Sequence, residues 1–154
     1  MQFSIHHHWH DSKDLRQIAR DAYQHYGAEM GVEPAPMQAD YAHHLAHDQI
    51  YAAVDDRGVL IGFAIVIFKD TGVWLENIAV APPLMGQGVG TRLLGYIEDD
   101  LSTQGVQHLH LYTNIIMRQN IAWYAKQGYH ETSRQQDEGY HRVFFRKELT
   151  HVSA

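Results

Sequence analysis

Asn77-Ile78-Ala79-Val80-Ala81-Pro82, followed two residues later by Met85-Gly86-Gln87-Gly88-Val89-Gly90-Thr91-Arg92-Leu93-Leu94, is the stretch on which the fold turns. It reads as a strand, a proline stop, a glycine-rich turn and a helix start. The helix start leaves backbone N–H groups unpaired and carries the positive end of the helix dipole. Glycines let that backbone approach a ligand without side-chain obstruction. The arrangement suits a phosphate group. Taken alone, a G-x-G-x-G run also describes a tight turn or the opening of a dinucleotide fold. No Gly-Lys-Ser/Thr follows, which excludes a Walker loop. The turn comes late and after a run of hairpin strands, leaving too little chain for a doubly wound sheet.

Working upstream, Val73 to Val80 and Val59 to Lys69 read as strands joined by the turn Asp70-Thr71-Gly72. Gln49 to Val54 is the strand before them, joined through Asp55-Asp56-Arg57-Gly58. Met37 to His47 reads as a short helix after a loop, Met30 to Pro36. Leu15, Ile18, Ala19, Ala22 and Tyr26 repeat at helical spacing behind the N-cap Asp11-Ser12, and Gly27 can end that helix. Gln2 to Trp9 reads as a first strand. Downstream, Val89, Leu93, Leu94, Ile97 and Leu101 form a helical stripe closed by Gly105. His108 to Thr113 is a strand and Met117 to Gln127 a helix closed by Gly128. Tyr129 to Arg134 and Tyr140 to Lys147 read as a closing hairpin. Hairpins first and strand–helix–strand units later predict an α+β fold, a mixed and mostly antiparallel twisted sheet of about seven strands flanked by about four helices.

The chain has 154 residues, which suits one domain spanning 1–154. Apolar residues make up 45% and charged residues 19%, a globular balance. The longest apolar run, Val59 to Phe68, is too short to cross a bilayer. No membrane association is expected. The N-terminus lacks a basic-then-apolar signal pattern, so a cytoplasmic location is expected. There is no cysteine, which removes disulfides and thiol catalysis. A formal net charge of −6 argues against nucleic acid and is compatible with a cationic acceptor or with ordinary solubility.

The glycine stretch resembles the signature of the GNAT superfamily of acyl-CoA N-acyltransferases. Leu111-Tyr112-Thr113-Asn114, with Asn120-Ile121-Ala122-Trp123-Tyr124-Ala125-Lys126-Gln127-Gly128-Tyr129, is similar to that family's second cofactor segment. Arg142-Val143-Phe144-Phe145-Arg146-Lys147-Glu148-Leu149 resembles its last strand. The likeness runs from about Val54 onward; before that only the layout of strand, two helices and loop matches. Two positions depart from the pattern. Met85 stands where the family usually carries Gln or Arg, and Met117 stands where its helix Asn is common, with Asn120 one turn before Tyr124. The resemblance implies acetyl-CoA as acyl donor, no metal, and cofactor contacts from Ile78, Ala79, Val80, Met85, Gly86, Gln87, Gly88, Val89, Gly90, Thr91, Asn114 and Asn120. Relatives are often dimers, and the apolar Val143-Phe144-Phe145 can either meet a second copy or be internal.

In such a family the acceptor amine attacks the thioester directly. An alkylamine with a pKa of ~10.4 is protonated at neutral pH, so a base near it is wanted. Glu76 is the candidate, lying in an apolar strand where period two places it with Ile78 and Val80. It can equally face solvent or pair with an arginine. Tyr124 matches the family tyrosine and is the candidate acid for the departing thiolate; the alternative is core packing beside Trp123. Asn114 can bond the pantetheine arm or cap the next helix. In the superfamily the segment between the first two helices lines the acceptor pocket, which implicates Glu33 and Tyr41 in holding a cationic acceptor. It can also be a rigid surface loop.

Thirteen histidines raise a metal reading, with His43 and His47 at i, i+4. No HExxH pattern and no cysteine accompany them, so a surface helix is the expectation. The sequence thus supports an acetyl-CoA-dependent N-acetyltransferase acting on a primary amine of a small molecule or peptide. The alternative is a non-catalytic CoA-binding or sensor module with the same fold.

Overall fold

The computed structural model describes residues 2–149. These form β1 (Phe3–His6), α1 (Ser12–Tyr23), α2 (Gly27–Met30), α3 (Ala35–Gln38), α4 (Tyr41–His47), β2 (Gln49–Asp55), β3 (Leu60–Lys69), β4 (Gly72–Val80), α5 (Val89–Thr103), β5 (His108–Asn114), α6 (Arg118–Lys126), β6 (His130–Asp137) and β7 (Tyr140–Glu148). The seven strands make one sheet in the order β1-β2-β3-β4-β5-β7-β6. Only the central pair, β4 with β5, is parallel. The mixed, mostly antiparallel sheet expected from the strand pattern is therefore present. No helix among the described residues is long and apolar enough to cross a membrane.

The helices cover both faces. On one side α5 and α6 bring Leu93, Leu94, Ile97, Leu101 and Tyr124 onto Leu109, Leu111, Val143 and Phe145. On the other, α1 and α4 bring Leu15, Ile18, Ala19 and Tyr41 onto Ile50, Phe63 and Ile65. The stripe read along α5 is the stripe that is buried. In α1 the stripe ends one residue off. Tyr23 is buried, whereas the chain tightens into a 3-10 turn over Gln24–Tyr26. Gly27 is right-handed at φ −59 and starts α2, so it does not end the first helix. Gly31, at φ 75, supplies the left-handed stop instead.

The second expected helix is also split. Ala39 is extended, and Asp40 restarts the chain as N-cap of α4 by accepting a hydrogen bond from the His43 N–H at 3.1 Å. The first strand is shorter than the Gln2–Trp9 expected. β7 is paired on both edges, by β5 and β6, and Val143 and Phe145 are buried. The apolar ending is thus internal, and it cannot extend the sheet into a second copy.

What positions the site is an irregularity in β4. Its register against β3 runs Ile65↔Asn77 and then Val66↔Leu75, so Glu76 is an extra residue with no partner. Because of it, Leu75 and Ile78 face the same cluster under α5 and α6. Asn77 and Ala79 face the α1 side. Glu76 therefore does not share a side with Ile78 and Val80; the bulge breaks period two. The parallel ladder with β5 covers Val73↔Leu109 to Leu75↔Leu111 and stops there. Beyond that point β4 and β5 separate.

The fully buried Leu93 joins α5 to the sheet. Leu93→Ala should destabilise the protein by about 2–5 kcal/mol through lost apolar contact and a residual cavity. Urea denaturation of the two proteins measures the difference.

Candidate functional site

Two cavities open where β4 and β5 part. The larger, of about 620 Å³, runs along Ile78, Ala79 and Val80 to the glycine turn and is walled by Trp123 and Tyr124 of α6. The smaller, of about 100 Å³, lies between Glu76 on β4 and Tyr112, Thr113 and Asn114 on β5, with Tyr140 and Arg142 of β7 at its side. Tyr23, Ile78, Asn120 and Tyr124 line both, so the two spaces meet at those residues.

The glycine turn is a cradle of backbone donors. Gly86 and Gly88 have φ of 82 and 86, a region in which a side chain is strained. Gly88 is the N-cap of the 15-residue α5 and brings no side chain to it. Among the described residues, the N–H groups of Gly86, Gly88, Val89, Gly90 and Thr91 have no acceptor. They line the large cavity and fit a pyrophosphate. Two expected members of the cradle are placed otherwise. The Met85 N–H donates to Pro82 O at 3.1 Å and the Gln87 N–H to Leu84 O at 3.4 Å. Met85 still borders the cavity with an exposed side chain, whereas Gln87 turns back to bond Pro83 O through Nε2.

In the small cavity, Glu76 accepts a hydrogen bond from the Tyr112 hydroxyl at 3.2 Å, and Lys69 Nζ lies 3.9 Å away. Its side chain is 25% exposed, so it is accessible without being freely solvated. Burial first and the Glu76 charge second push the Tyr112 hydroxyl well above its ordinary pKa. Tyr124 is buried, and its burial together with nearby Tyr23 likewise raises its pKa. Its hydroxyl has no hydrogen-bond partner among the described residues.

Tyr23 donates to Ile78 O at 2.9 Å and brings α1 down onto the strand just past the bulge. Asn77, also buried, donates through Nδ2 to the Tyr41 hydroxyl at 2.8 Å, and Tyr41 in turn donates to Pro36 O. Tyr41 is fully buried and lines neither cavity. Its expected contact with an acceptor is therefore replaced by a bracing role, because the chain before α4 folds over it. Glu33 borders a separate shallow depression with Arg20 and Met37. Only its backbone carbonyl reaches the site, accepting from the Tyr140 hydroxyl at 3.0 Å.

Asn114 does not cap α6. Its Oδ1 accepts from the Ile116 N–H at 3.0 Å while the residue lines the small cavity. Asn120 stands at the junction, with Nδ2 3.6 Å from Met117 Sδ. The His43 and His47 rings lie 4.4 Å apart and tilted by 40°, and among the described residues no three His, Asp or Glu side chains converge as a metal set.

Tyr23, Asn77, Tyr112, Tyr140 and Arg142 were not singled out by sequence. For Tyr112 a signal existed: in β5 the residues alternate His108, His110, Tyr112 against buried Leu109 and Leu111. For Arg142 the signal was a cation directly before the apolar Val143-Phe144-Phe145.

The chain is similar to known proteins in sequence and in fold. Over 58 residues the chain is 31% identical to aminoalkylphosphonate N-acetyltransferase of Salmonella typhimurium, a match spanning 38% of each protein. The fold is that of the ribosomal-protein-S18-alanine N-acetyltransferase from Escherichia coli, with a TM-score of 0.78, 19% identity, and coverage of 99% of this chain and 97% of that one. It is also that of the PaiA N-acetyltransferase from Thermoplasma acidophilum in complex with coenzyme A, with a TM-score of 0.77, 18% identity, and coverage of 96% and 99%. A model of the acetyltransferase (GNAT) family matches residues 12–129, more than two thirds of the sequence, and the chain belongs to that family.

Proposed function

We propose that this protein transfers an acetyl group from acetyl-CoA to a primary amine. The observation that carries the reading is the meeting of the two cavities. A donor cradle suited to pyrophosphate ends one of them, a carboxylate lines the other, and a free tyrosine hydroxyl stands where they join. The named activity of the Salmonella relative and the coenzyme A complex of the Thermoplasma structure support it.

In this reading the N–H groups of Gly86 and of Gly88 through Thr91 hold the pyrophosphate, and the helix dipole adds to them. The open edge of β4 from Asn77 to Val80 orients the pantetheine arm and offers an N–H to the oxyanion of the tetrahedral intermediate. Glu76 takes the proton of the incoming ammonium. Tyr112 holds that carboxylate in place through its hydroxyl. Tyr124 gives its proton to the departing sulfur. Burial keeps the tyrosine neutral at all working pH values, which is the state an acid requires.

Acetyl-CoA should raise the melting temperature, and thiol should be released when a panel of amines is added. Binding without turnover would favour the sensor alternative. Glu76→Gln should lower kcat/KM by about 10²-fold or more at pH 7. The deficit should shrink toward pH 10, where the amine loses its own proton; a normal rate at every pH removes Glu76 from the role. Tyr124→Phe should lower kcat more than it changes KM, and wild-type kcat should show no decline below pH 10 attributable to this tyrosine. Gly88→Ala should lose about 1 kcal/mol of stability from the left-handed backbone and bind CoA more weakly, as read by calorimetric Kd. Gly90→Ala should remain stable, since an added Cβ would sit 3.5 Å from the Trp123 ring, an ordinary contact.

A further inference from the structure

Arg142 lies on β7 opposite Asn114 of β5, inside the sheet and at the wall of the small cavity. Its side chain is only 7% exposed. The guanidinium rests 4.1 Å over the Tyr112 ring and 5.2 Å from the Tyr140 ring. Among the described residues, just one of its nitrogens has a protein partner. Nη1 donates to Asp137 Oδ2 at 2.7 Å and lies 3.8 Å from Glu138 Oε2. Among the described residues, Nε and Nη2 have no acceptor. Arg142 lines the cavity and these two nitrogens keep accessible surface, so that side of the fork is open to a ligand, and a planar two-oxygen anion is the group that matches it. The partners it has are weak competitors, since Asp137 is 47% exposed and Glu138 78%, and water screens both.

The opposite charge is close by. The same Tyr112 side chain that lies under Arg142 donates its hydroxyl to Glu76. A carboxylate at the hydroxyl of one tyrosine and a guanidinium over its ring thus line one cavity of about 100 Å³. That space admits a small molecule. The geometry points to an acceptor that carries an anionic group, carboxylate or phosphonate, a short chain away from its amine. Arg142 receives the anion through Nε and Nη2, and the amine is turned toward Glu76. This assignment rests on the acetyltransferase reading for its chemistry and on Arg142 alone for its anion.

The experiment compares β-alanine and 2-aminoethylphosphonate with the neutral isostere β-alaninamide. Thiol release is followed with acetyl-CoA in excess, and calorimetry measures binding of the same three compounds to the CoA-saturated protein. At least one anionic acceptor should exceed β-alaninamide by tenfold or more in kcat/KM and in affinity, and the better of the two identifies the anion. Arg142→Gln should bring that ratio to about one, chiefly through KM, and Arg142→Lys should keep part of it. A purely structural arginine would lower all three compounds alike and leave the ratio intact. Asp137→Ala, an exposed truncation that spares the fold, should raise the ratio by freeing Nη1. A wild-type ratio near one, or a ratio that neither variant moves, overturns the anion site. Absence of both acetyl-CoA binding and turnover instead overturns the acetyltransferase reading, and the same calorimetric ratio measured on the protein without CoA then decides the anion site.

Discussion

One surplus residue in β4 governs the arrangement of everything around it. A strand can satisfy neighbours on both edges only while its pleat stays in step with them. Glu76 breaks that step, so β4 keeps its ladder with β3 and loses β5 beyond Leu75. Separated strands would ordinarily leave unpaired backbone in the interior, which is expensive. Here the gap is lined from above and braced from the side. Tyr23 bonds Ile78 O, and the chain Asn77–Tyr41–Pro36 ties the loop before α4 to the strand just past the break. The residue that causes the separation also carries the carboxylate, so the opening and the charge inside it have one origin.

The polar interior of the opening is made mostly of neutral hydroxyls. Tyr23, Tyr112 and Tyr124 all have pKa values raised by burial. They stay protonated, so they donate hydrogen bonds without adding charge. Against that background single ionic groups act at short range and with little screening. Glu76 and Arg142 therefore dominate the field within the small cavity, although the chain as a whole carries a net charge of −6.

The features legible in the sequence were those set by local chemistry. The glycine turn, the stripe on α5 and the succession of strands each follow from turn residues and periodicity within a dozen positions. The bulge was not read, because Leu75-Glu76-Asn77 contains neither Gly nor Pro, and its one sign is the pair of adjacent polar residues Glu76-Asn77 between Leu75 and Ile78. Its position is fixed by β3, through a register that no short window contains. Tyr41 misled for a related reason. It lies in the segment expected to face an acceptor, but Asp40 caps a fresh helix and turns the ring inward onto Phe63. Arg142 reads as one more charge on a closing strand until β5 and β6 flank it and two aromatic rings enclose it.

The hydrogen bond from Tyr140 to the carbonyl of Glu33 joins residues 107 positions apart across the mouth of the small cavity. Its consequence concerns the order in which the molecule becomes competent. During synthesis, every residue of the large cavity has been made by Gln127. The small cavity still lacks a wall, which arrives only with the last hairpin. The large cavity is therefore complete in sequence before the small one, whose last two wall residues, Tyr140 and Arg142, come with the final hairpin. Variation at the tip Asp137-Glu138-Gly139-Tyr140 can reshape the small cavity while the glycine turn is inherited unchanged.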